Sequence, residues 1–128
     1  MARKQTTVYV IDDDQSVRTS MARLLQSANF NAATFGSVND FFSEPKREDN
    51  ACILVDIRMP GLTGFDLQQK LAATGAKIPV IVISASDEAP VREHARQLGA
   101  VSFFRKPVDD QALLDAILWA VTGAKKKA

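Results

Sequence analysis

A chain of 128 residues, 46% of them hydrophobic and 24% charged, can bury one core but is too short for a second folded unit of ordinary size. Its formal charge of +1 excludes a strong overall field toward nucleic acid or an anionic membrane, so electrostatic function has to be local. The single cysteine, Cys52, excludes an intrachain disulfide; with no signal-peptide stretch and no apolar run of membrane-spanning length, a reducing, cytoplasmic setting is expected.

In chain order, short β-branched runs alternate with helical patterns. Residues 1–6 read as a tail. Thr7 to Ile11 reads as a strand, after which Asp14 is suited to cap a helix with apolar positions Val17, Met21, Leu24, Leu25 and Ala28. Asn31 to Phe35 is a weaker second strand. Ser37 with Asp40 resembles a capping box for a short helix ending near Pro45, and Lys46 to Asn50 is a polar loop. Ala51 to Asp56 is a third, wholly apolar strand until its last residue. Thr63 with Asp66 opens a helix to about Ala73 that Gly75 stops. Pro79 to Ser84 is the fourth strand, and Pro90 fits the first turn of a helix through Val91, Ala95 and Leu98, ending at Gly99. Val101 to Arg105 is the fifth strand. Asp109 is suited to cap a last helix with the stripe Leu114, Ile117, Leu118 and Val121. One domain over 7–123 is expected, with 124–128 a tail or the start of a linker; the lysines at 125, 126 and 127 read as solvated.

Strands alternating with helices imply right-handed crossovers and a doubly wound parallel α/β sheet with helices on both faces. Ligands of such folds bind beyond the carboxyl ends of the strands. The polar residues expected there are Asp12, Asp13 and Asp14 after the first strand, Asp56 after the third, Ser84 after the fourth and Lys106 after the fifth. Asp14 is read as an N-cap, whereas Asp12, Asp13 and Asp56 would repel one another without a cation among them. Clustered oxygens suit a hard ion such as Mg²⁺, a carboxylate can accept a phosphoryl group as an acyl phosphate, and Lys106 and Ser84 add a positive charge and a hydroxyl donor.

These residues resemble the receiver domains of two-component response regulators over essentially the whole folded chain. The resemblance rests on Asp12-Asp13 after a first strand, Asp56 with Met59-Pro60-Gly61 and Gly64, Ser84-Ala85, and Lys106-Pro107. It implies a flavodoxin-like sheet of order 2-1-3-4-5, with Asp56 as phosphoacceptor for a sensor histidine kinase. Mg²⁺ would be held by Asp13, Asp56 and the backbone carbonyl of Arg58, with Asp12 acting through a bound water. Ser84 and Lys106 would contact the phosphoryl group, Phe103 would be the aromatic switch partner of Ser84, and the Lys106-Pro107 bond would be cis. The stretches from Asp56 to Gly64 and from Phe103 to Pro107, with Leu113-Leu114 beyond, look most like the FixJ type. That likeness implies control of transcription through a DNA-binding domain absent from this chain, no direct nucleic-acid or membrane contact by this domain, and a phosphorylation-dependent homodimer through the fourth helix, fifth strand and fifth helix. Ser84 stands where Thr is commoner, Phe103 where Tyr is commoner, and Arg58 puts a long cation beside the acceptor. The resemblance further implies that this chain is not an enzyme in its own right, beyond taking up and losing the phosphoryl group.

Two other readings use the same residues. Asp12 to Ser16 fits the Asp-x-Asp-x-Thr/Ser pattern of a small haloacid-dehalogenase-like phosphatase with Asp12 as nucleophile, although Asp56 then has no role. A flavodoxin-like binder of flavin phosphate would need donors, not three aspartates, in the turn after the first strand.

Overall fold

The computed structural model describes residues 5–59, 61–85 and 89–126, the side chains of 124–126 excepted, so Pro60 of the motif and the lysine side chains of the tail lie outside the described residues. Five strands and five helices alternate: β1 (Thr7–Ile11), α1 (Gln15–Ser27), β2 (Asn31–Phe35), α2 (Val38–Phe42), β3 (Ala51–Asp56), α3 (Gly64–Thr74), β4 (Val80–Ser84), α4 (Ala89–Gln97), β5 (Ser102–Arg105) and α5 (Asp110–Lys126). All pairings are parallel, in the order β2-β1-β3-β4-β5, which is the order expected. α5 takes in residues 124–126, which the sequence reading sets apart as tail.

Alternation along the strands divides the core into two layers. Tyr9, Ile11, Ile53, Val55, Val80 and Val82 pack with residues of α2, α3 and α4, whereas Val8, Val10, Cys52, Leu54, Ile81 and Ile83 pack with α1 and α5. Phe103 joins the first layer and Phe104 the second, as adjacent strand residues must. Cys52 is an enclosed core residue whose thiol burial pushes up to about 12, which makes it inert. β2, one of the two edge strands, is the least covered, in keeping with its weak apolar pattern.

The caps follow from residue type. Asp14 Oδ1 accepts from Ser16 N at 2.8 Å, Thr63 and Asp66 form a complete capping box, and Asp109 Oδ2 accepts from Ala112 N at 2.9 Å. Gly75 ends α3 at φ +77°. α2 is shorter than its pattern suggests and stops at Phe42, with Ser43 as its C-cap. The apolar stripe of α5 is also turned from the expected one. Leu113, Ile117, Ala120 and Val121 are buried, Leu114 is half-buried, and Leu118 is 51% exposed. Residues at 113, 117, 120 and 121 lie on one helical face, and Leu118 is a full 100° round from Ile117.

Candidate functional site

β1 and β3 are neighbours, so their carboxyl ends deliver Asp12, Asp13 and Asp56 to one place. A carboxylate oxygen of each lies within 4.8 Å of the others. Asp12 and Asp56 are only 5% and 8% exposed, whereas Asp13 faces solvent. Backbone amides aim the two buried groups: Asp14 N donates to Asp12 Oδ1 at 2.9 Å and Arg58 N donates to Asp56 Oδ1 at 3.0 Å. The chain after β5 brings Lys106, whose Nζ is 2.7 Å from Asp56 Oδ2 and 3.5 Å from Asp12 Oδ2. The Lys106-Pro107 bond is cis. Lys106 N also donates to Ser84 O at 2.8 Å, which registers this loop against the end of β4.

Electrostatics follow from this enclosure. Desolvation lifts the Asp12 carboxyl above its ordinary range; the Asp14 amide and Lys106 pull against it, and Asp56 and Asp13 add to it. Burial alone would lower Lys106, yet its bonds to Asp56 and Asp12 outweigh that and hold the ammonium above its usual value. Three carboxylates against one ammonium leave two negative charges over, and the donors facing one another are all oxygens. That set fits a hard divalent cation.

Ser84 and Phe103 of the expected site both lie on the α2–α4 side of the sheet. Ser84 is 1% exposed at the end of β4, one residue beyond the Asp56–Ile83 pair, on the side of Val80 and Val82. Phe103 pairs in register with Val82, half-buried on that same side, with the Arg92 guanidinium 5.6 Å from its ring centre. Arg58 supplies its backbone to the site and holds its side chain in solvent. His94 is exposed on α4 and meets the Phe65 ring edge-on at 4.5 Å.

The sequence matches the family model described as the response regulator receiver domain over residues 8–118. The chain belongs to that family. Nodulation protein W of Bradyrhizobium diazoefficiens is 35% identical to it over 126 residues, which is 98% of this chain and 56% of that protein. The transcriptional regulatory protein FixJ of Azorhizobium caulinodans is 40% identical over 110 residues, 86% of this chain and 52% of that protein. Among solved structures, response regulator StyR is 38% identical with a TM-score of 0.87, covering 97% of this chain and 63% of that one. The structure described as FixJ-N is 30% identical with a TM-score of 0.84, covering 98% of both. This receiver domain spans about half the length of the curated relatives it matches. The family is one of regulators and lends no support to the phosphatase or flavin-phosphate alternatives. Among the described residues, no helix is long and apolar enough to cross a membrane.

Two further residues of the receiver domain shape the site: Arg18, which carries no sequence signal of its own, and Gly64, a motif residue whose physical reason only the packing shows. Arg18 Nη1 donates to Asp12 O at 2.7 Å, tying the acidic turn to the first turn of α1. An arginine one turn into a helix is common, and only the curl of the chain after β1 brings that carbonyl within reach. Gly64 is the second. A Cβ there would lie 3.0 Å from Asp56 O and from Ile57 Cα, so α3 can start against the end of β3 only because this residue has no side chain.

Proposed function

We propose that this receiver domain takes a phosphoryl group from a sensor histidine kinase onto Asp56 and answers by changing the face made of α4, β5 and α5. The observation that carries the reading is the convergence of Asp12, Asp13, Asp56 and Lys106 at one strand edge, with Lys106 Nζ 2.7 Å from the acceptor carboxylate. Asp12, Asp13, Asp56 and the backbone carbonyl of Arg58 would hold Mg²⁺, which when bound neutralises charge on the phosphoryl and carboxylate oxygens.

In the transfer, an Asp56 carboxylate oxygen forms a bond to phosphorus as the phosphorus–nitrogen bond of a phosphohistidine breaks, and the leaving imidazole takes up a proton. The Arg58 amide on Oδ1 orients the carboxylate. Lys106 screens Asp56 beforehand and is placed to pass to a phosphoryl oxygen as the new acyl-phosphate bond neutralises its partner. Ser84, buried at the neighbouring strand end, would turn its hydroxyl toward the phosphoryl group, and Phe103 on the same side of the sheet would move into the space vacated. The altered α4-β5-α5 face would form a homodimer and relay the signal to transcription through a DNA-binding domain outside this chain. Relatives described as transcriptional regulatory proteins, about twice as long as the matched segment, support that last step.

The test is exposure to a small acyl phosphate with Mg²⁺, followed by intact mass and by sedimentation. One phosphoryl group per chain and a rise in association are expected, both absent in Asp56→Asn. Uptake that survives Asp56→Asn would sink the assignment.

A further inference from the structure

Gln68 lies in the middle of α3, 2% exposed, and its side chain is the one buried polar group on the α2–α4 side of the sheet with an oxygen left unpaired among the described residues. Its Nε2 donates to Ala95 O in α4 at 3.0 Å, while Oε1 has no donor among the described residues. Ala95 O does not depend on this bond. It also accepts from Ala100 N at 3.0 Å, and Gly99 N donates to Arg96 O at 3.0 Å, with Gly99 at φ +101°. Those two bonds make a Schellman turn that ends α4 and leads into β5.

We infer that Gln68 is a positioning residue that biases the domain toward its switched state, because the present packing of α3 on α4 satisfies only part of its buried amide. This rests on the proposed role of Asp56 and of the α4-β5 face. One modest hydrogen bond is gained here, and one buried acceptor goes without, which costs more than such a bond returns. Any movement of the α4 end that admits a donor or water to Oε1 is therefore favoured by glutamine over an apolar side chain of the same length. The carbonyl that Gln68 holds lies at the turn from α4 into β5, the strand that carries Phe103, so a rearrangement of Phe103 would act on that turn. Gln68 thus lowers the gap between the states without touching the phosphoryl site.

Replacing the amide removes the unpaired oxygen and leaves Ala95 O bonded to Ala100 N. In Gln68→Met the resting state gains relative to the switched one, and a ligand that selects the switched state binds less tightly by the same factor. The experiment titrates beryllofluoride, a phosphoryl mimic, at fixed Mg²⁺ into wild type, Gln68→Met and Gln68→Leu, and measures urea midpoints in its absence. Expected are midpoints equal to or above wild type and beryllofluoride binding weaker by about five-fold or more. Equal or tighter binding overturns the inference, as does weaker binding with a lowered midpoint or failure of both variants to fold, since a structural tie would explain those. If wild type itself does not bind beryllofluoride, the reading of Asp56 fails and this one with it; binding by wild type with unchanged variants overturns only the role of Gln68.

Discussion

The two faces of the sheet are built from the same strands and do different things. On the α1 and α5 side, Leu54 and Ile83 lead to Asp56, which Lys106 meets in an ion pair; on the other, Val80 and Val82 lead to Ser84, with Phe103, Gln68 and the α4 turn beyond. The first face holds clustered carboxylates that a single ammonium only partly compensates. The second holds half-buried aromatic surface, a cation over a ring and a partly satisfied amide. Strand alternation alone enforces this division, because Asp56 and Ser84 end neighbouring strands one residue out of step. On the proposed mechanism a signal would cross the sheet, and Ser84 at its edge would be the short way round.

Changes on the charged face should alter chemistry with little effect on the response of the other. Lys106→Met is expected to slow phosphoryl uptake from a small acyl phosphate by about 10²–10³-fold, the range for losing one preorganised charged donor. Quench-flow mass analysis reads this; uptake within a factor of ten of wild type would separate Lys106 from the transfer step.

Gly64→Ala strikes where the two faces are joined. The added methyl meets Asp56 O and Ile57 Cα at 3.0 Å, both backbone atoms, so α3 has to move away from β3. A loss of about 1–3 kcal/mol in urea unfolding is expected. Phosphoryl uptake should fall as well, since Asp56 sits on the displaced strand end. Unchanged stability would mean that α3 slides freely over this edge and that the faces are less tightly joined than the contact implies.

Asp12→Asn should raise stability while weakening cation response. Burial, before anything else, holds the Asp12 carboxyl above its ordinary value of 3.8, so the folded protein keeps this proton more readily than the unfolded chain. That contribution is complete below pH 3.8 and is lost as pH rises through the raised value, so at neutral pH the ionised group is a cost. In metal-free buffer at neutral pH the substitution is expected to stabilise, because the burial cost of the charge outweighs what the Asp14 amide and Lys106 return. Millimolar Mg²⁺ should raise the melting temperature of wild type and do less for the variant. A variant melting lower than wild type without metal would show that Asp12 is wanted by the fold for its hydrogen bonds.

Caps and the positions of Asp12, Asp13, Asp56, Ser84 and Lys106 were legible because each rests on local chemistry, whereas the strand order was implied by the resemblance to receiver domains and not by the pattern itself. Apolar runs end at polar residues, Asp14, Thr63 and Asp109 cap by reaching two or three residues ahead, and the doubly wound connection does the rest. What was not legible depends on how elements meet. The α5 stripe is rotated because Leu113 and Ala120 face the sheet, and an alanine weighs little in an apolar pattern. Gln68 looks like any helix-surface glutamine until α4 covers it. The need for Gly64 depends on a close approach that only the packed structure contains.

The smallest effect expected belongs to Arg92. Its guanidinium stands 5.6 Å from the centre of the Phe103 ring, a cation–π contact at an exposed site and worth about 0.5–1 kcal/mol. In the resting domain this contact favours the half-buried position of Phe103, so Arg92→Ala should release the ring and tighten beryllofluoride binding by about two- to five-fold, opposite in sign to Gln68→Met. Arg92→Lys, which keeps a cation without the planar fork, should lie between. Both substitutions are on the far face from Lys106, so the rate of phosphoryl uptake per occupied site should not move. If Arg92→Ala instead weakens binding, the contact with Phe103 belongs to the switched state, and the second face is less strained at rest than its half-buried ring suggests.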